Sequence, residues 1–96
     1  MSRNSDDRLE DLIGNATDAL SIAHNALAAV DPDTFPDAHA AIVEFIEHLD
    51  CATTVETESD FFANVSEAKN AASRVGKRVN RESRTWLQEA LNILTE

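Results

Sequence analysis

Glu44, His48 and Cys51 stand four and three residues apart, a spacing that brings three side chains to one stripe of a helix. Carboxylate, imidazole and thiolate are all zinc ligands, and a thiol beside an imidazole is the beginning of a nucleophile and base pair. The rest of the chain does little to complete either site. Only His24 and His39 remain as further imidazoles, and Cys51 is the sole cysteine. The paired Glu-x-x-His segments of carboxylate-bridged bundles are absent. With only Gly14 and Gly76 in the chain, no glycine-rich loop exists to hold phosphate or form an anion hole. Glu44 and Glu47 are the right types for an acid and base pair. On an acidic helix face, however, they lack the contrasting environments that would drive their pKa values apart. The expectation is a non-enzymatic chain without catalytic, cofactor or metal residues, in which His48 flanks a helix and Cys51 is a small buried thiol.

Two other groups carry chemistry by type. His24, within Ala23-His24-Asn25-Ala26-Leu27, resembles the helix-borne histidine of phosphotransfer bundles. Where such domains follow it with lysine and glycine one turn later, this chain has Leu27 and Ala28, so a phosphoryl group would meet no cation. Arg74, Lys77, Arg78, Arg81 and Arg84 fall within eleven positions of a chain whose formal net charge is -10. Around them, Ala72, Val75 and Gly76 resemble the opening of a helix-turn-helix, which would imply DNA contact by the following helix. Lys77 and Glu82 then occupy positions where that motif places apolar side chains.

Charge is partitioned by position. Residues 1–70 carry three basic against fifteen acidic side chains (-12), and residues 71–96 carry five against three (+2). A field this negative opposes nucleic acid and anionic lipid and favours a basic partner. Two Lys against nine Asp and nine Glu also suit a high-salt habitat. The expected working surface is the acidic one: Asp37, Glu44, Glu47, Asp50, Glu56, Glu58 and Asp60. The alternative is regulatory nucleic-acid contact through Arg74, Lys77, Arg78, Arg81 and Arg84. A purely structural use of those bases is to complement a helix C-terminus and to pair with Asp31, Glu47 or Asp50.

These residues need elements to hold them. Leu9, Ile13, Ala16, Leu20, Ala23, Leu27 and Val30 alternate steps of four and three, predicting a first helix over 6–30 with Ser5 as its N-cap. Gly14 inside it is read as a close crossing or a wet-face residue. Asp31 to Pro36 is a turn, because each proline lacks a donor and restricts its predecessor. Phe35, Ala38, Ile42, Phe45, Leu49 and Ala52 predict a second helix over 36–51, with Pro36 at its first position. Thr57 to Asp60 opens a third, 57–75, with the stripe Phe62, Val65, Ala68, Ala72 and Val75 and a left-handed cap at Gly76. Asn80 caps a fourth, 81–95, in which Val79, Trp86, Leu87, Ala90, Leu91 and Leu94 share one side. No period-two alternation competes.

The fold class is therefore all-α, a small antiparallel up-and-down four-helix bundle in one domain spanning 1–96. Fusion of the last two helices into a three-helix form is the alternative. Fifteen of its 41 apolar residues are alanine, so close backbone approach must supply much of the core, and pairing of two copies would add to it. A lone cysteine and the absence of any long apolar run suit a soluble, cytoplasmic chain. The expected partners are a basic protein and a second copy of the chain, with no membrane and no cofactor.

Overall fold

A computed structural model describes residues 3–75 and 79–94, with side chains from Arg8 onward. Four helices follow one another: α1 (Arg3–Ala29), α2 (Pro36–Ala52), α3 (Glu58–Ser73) and α4 (Arg81–Leu94). Among the described residues there is no strand. α3 and α4 are separate helices, which removes the fused three-helix alternative. α1 packs chiefly against α4, α2 packs against α3, and α1 against α2 joins the two pairs. The long dimension is 51 Å against a cross-section of 17 by 16 Å. At about 1.5 Å per residue the 27 residues of α1 make about 40 Å of that length.

The inward row of α1 is alanine. Ala16, Ala19, Ala23 and Ala26 are each 0% exposed and Val30 nearly so, whereas Ile13, Leu20 and Leu27 are only partly covered. Of the predicted stripe, Ala16, Ala23 and Val30 are buried, while Leu9, Ile13, Leu20 and Leu27 lie along its edge. Small side chains let the neighbouring backbones come close, and the bulk is supplied from α2, whose Ile42, Phe45 and Leu49 are fully buried. Gly14 marks no crossing: it is exposed, and a Cβ added there would meet nothing within 4 Å. Ser5 lies inside α1 and not before it, because the helix already begins at Arg3.

On α3 the buried row is Phe61, Val65, Ala68 and Ala72, with Ala71 beside it, and Phe62 points outward with 46% of its surface exposed. Adjacent phenylalanines both fit a stripe with Val65; only the one aligned with Ala72 in steps of four and three faces α2. The two rings meet edge to face at 5.5 Å. Thr57 caps α3 as expected, its Oγ1 accepting from the Asp60 amide at 3.1 Å. α3 closes at Arg74, in right-handed geometry, before Gly76, which lies outside the described residues with Lys77 and Arg78.

The register of α4 on α1 is set by polar side chains. Val30 N–H turns back to the Leu27 carbonyl, leaving the Ala26 carbonyl for another donor. Ser83, completely buried, donates its hydroxyl to Ala26 O at 2.8 Å, and Asn80 donates Nδ2 to Ala29 O at 2.8 Å. Two of the last carbonyls of α1 are thus satisfied by the start of α4, which fixes the pair as antiparallel. Asn80 does not cap α4 with its side chain. Only its main-chain carbonyl accepts from Arg84 N–H, and Oδ1 is buried without a partner.

Loss of the Ser83 hydroxyl strands a buried carbonyl, so Ser83→Ala is expected to lower unfolding free energy by about 1–3 kcal/mol in urea titration. Gly14→Ala, on an open helical face, is expected to raise it by about 0.5–1 kcal/mol.

Candidate functional site

The acidic residues are positioned by the α2–α3 hairpin. Pro36 sets the first position of α2 and Asp37 its first turn. Glu44, Glu47 and Asp50 follow along the same helix. At its end the Thr53 and Thr54 hydroxyls donate to the carbonyls of Asp50 and Cys51, closing the helix at Ala52. Glu56 then lies in the connection, and Glu58 and Asp60 open α3 under the Thr57 cap. Asp37, Glu47, Asp50, Glu56 and Asp60 are exposed and form no ion pair among the described residues. Glu44 and Glu58 are half-buried and paired. Glu44 meets the Arg74 guanidinium at 2.8 Å, and Glu58 meets Arg8 at 3.3 Å. Both pairs stand in solvent and contribute about 0.2–1 kcal/mol each.

The basic set divides. Arg74 is held by Glu44, not by Asp31, Glu47 or Asp50. Arg81 and Arg84 project from the first turn of α4, while Lys77 and Arg78 lie outside the described residues. Lys69, two residues after Glu67 in the sequence, joins Arg84 across the seam between α3 and α4. These two helices scarcely touch, and the open groove between them, about 440 Å³, has Ala72, Val75, Leu87 and Leu91 along it with Lys69 and Arg84 at its sides. The sequence signal for Lys69 was its place one turn before Ser73 on the outer row of α3.

The carboxylate, imidazole and thiol that opened the sequence do not form a site. Glu44 is turned to Arg74, His48 is half-buried, and Cys51 is a free thiol on the surface, which corrects the expectation that it is buried. Among the described residues no three His, Cys, Asp or Glu side chains converge in a way that could hold a metal ion. His24 is exposed on α1.

Asp31 builds the turn between α1 and α2. Its Oδ1 accepts from the Asp33 amide at 3.0 Å and its Oδ2 from the Thr34 hydroxyl at 2.7 Å, while its carbonyl accepts from Phe35 N–H. These bonds reverse the chain between α1 and α2. The Thr34 hydroxyl, then the Asp33 amide, hold the Asp31 carboxyl below its ordinary value.

No protein-family model, curated protein or solved structure matches the chain. Among the described residues no helix is long and apolar enough to cross a membrane.

A carboxyl with a depressed folded-state pKa gives stability that is present above its unfolded value and lost as pH falls through the folded one. The Asp31 carboxyl is therefore expected to titrate by NMR with a midpoint below 3.8. In Asp31→Asn the part of the acid-side stability loss belonging to this turn should vanish.

Proposed function

We propose that this chain is a small, non-enzymatic helical interaction module that binds a basic protein through its acidic hairpin and associates with a second copy of itself. The class of activity is that of an inhibitor, antitoxin or immunity-type protein working in the cytoplasm. The observation that supports the reading best is the sorting of the seven hairpin carboxylates. Glu44 and Glu58 are tied to arginines, while Asp37, Glu47, Asp50, Glu56 and Asp60 are exposed and, among the described residues, unpaired. Carboxylates left in water on a rigid hairpin raise the encounter rate with a positive surface and set its orientation, at little cost to the fold. Arg8 and Arg74 each neutralise one hairpin carboxylate, and the five exposed ones leave the field negative.

The test compares affinity purification from the native host by the wild-type chain and by a Glu47→Gln, Asp50→Asn, Glu56→Gln, Asp60→Asn variant. A basic protein held by the wild type, released by salt and lost with the variant is the expected result. Retention of the same partner by the variant, or capture of no basic protein, contradicts the reading. The four side chains are exposed, so the variant should melt within a few degrees of the wild type, since surface changes are typically worth about 0.5 kcal/mol or less.

A further inference from the structure

The α3–α4 seam, which the acidic hairpin does not use, has a shape and charge of its own. The helices bounding it barely meet, and the row Phe62, Ser66, Lys69, Ser73 runs down α3 beside it in steps of four, three and four. Phe62, the large apolar side chain most open to solvent among the described residues, stands on that row about two turns before Lys69. Lys69 and Arg84 give the groove positive edges on an otherwise acidic molecule.

The chain also contains a segment with the complementary character. Ser83 against Ala26 and Asn80 against Ala29 fix where α4 begins on α1. At about 1.5 Å per residue its 14 residues cover only about half of the 27-residue helix. The α1 row that faces α4, continued from Ala26 through Ile22, Ala19 and Asn15, reaches Leu12 beyond Leu94, and Leu9, Leu12 and Ile13 are all only partly covered. Residues 6–18 carry five carboxylates and one base, Arg8. This is an acidic amphipathic helix whose apolar stripe packs on the core along one edge and extends past the end of α4.

We infer that the occupant of the seam is the N-terminal half of α1 from a second copy. The apolar stripe about Leu12 lies against Phe62 and Leu91, and Glu10 and Asp11 lie against Lys69. The seam sits beside the upper half of α1 and the acidic segment is its lower half. A two-fold axis near Gly14 thus lets each copy serve the other, a closed and self-complementary contact. An unrelated acidic ligand would be repelled by most of this surface and attracted only here, whereas a second copy presents both charges in register.

The inference rests on the self-association in the proposed function and is tested by sedimentation equilibrium of the intact chain in reductant, which prevents exposed Cys51 from linking copies. The expected result is a wild-type dimer whose dissociation constant rises about tenfold or more in Phe62→Ser and in Lys69→Glu. Adding Asp11→Arg to Lys69→Glu should recover much of that loss. A dimer indifferent to both single substitutions overturns the seam as its interface and leaves self-association standing; a wild-type monomer overturns both. Losses in the single variants without recovery in the charge swap remove α1 as the occupant. Phe62 and Asp11 are exposed and Lys69 is half-buried, and helical circular dichroism with an unchanged melt verifies that each variant is folded.

Discussion

Close approach to α1 is the constraint from which the rest of the structure follows. Four fully buried alanines on its inner row give neighbouring helices almost no side-chain relief to grip, so the apolar area gained per residue is small. A smooth surface of this kind permits sliding. Ser83 and Asn80 remove that freedom by donating to Ala26 and Ala29, carbonyls that the end of α1 leaves open. One buried hydroxyl thus specifies the register that shape alone leaves loose. On the other side the specificity comes from bulk, with Ile42, Phe45 and Leu49 of α2 filling the space beside Phe61 and Val65.

The same register decides what is left uncovered. A short α4 clasped to the C-terminal half of α1 leaves the N-terminal half with α2 and α3 alone, joined to the start of α3 by Arg8 and Glu58. It also holds α4 away from α3, so Lys69 and Arg84 lie along an open seam while the carboxylates occupy the hairpin. On the proposed reading the two surfaces have separate partners: a basic protein for the hairpin and a second copy for the seam. Arg74 with Glu44 lies where they meet and neutralises one charge from each.

Much of the fold was legible where one residue type has one use. Pro36 at the head of a helix, Thr57 three residues before the Asp60 amide, and the α2 stripe from Ala38 to Ala52 follow from backbone geometry and spacing alone. Legibility failed where two residues satisfy the same pattern. Phe61 and Phe62 are one position apart, and only packing against α2 selects between them; leucine outranks alanine by hydrophobicity, yet alanine is what the tight crossing admits. Asn80 and Ser83 look like ordinary residues at a helix start, and their donation to α1 joins positions more than fifty residues apart. The charged surfaces were readable as composition, whereas the pairing of Arg74 with Glu44 and the alignment of Lys69 with Arg84 depend on tertiary placement.

The division of the surface is tested most directly by hydrogen exchange of the isolated chain at low and high protein concentration, read by mass spectrometry. Concentration should slow exchange in the first half of α1 and along the facing residues of α3 and α4, and leave α2 unchanged. Protection confined to α2, or exchange that is the same at both concentrations, would contradict the assignment of the seam and α1 to self-association.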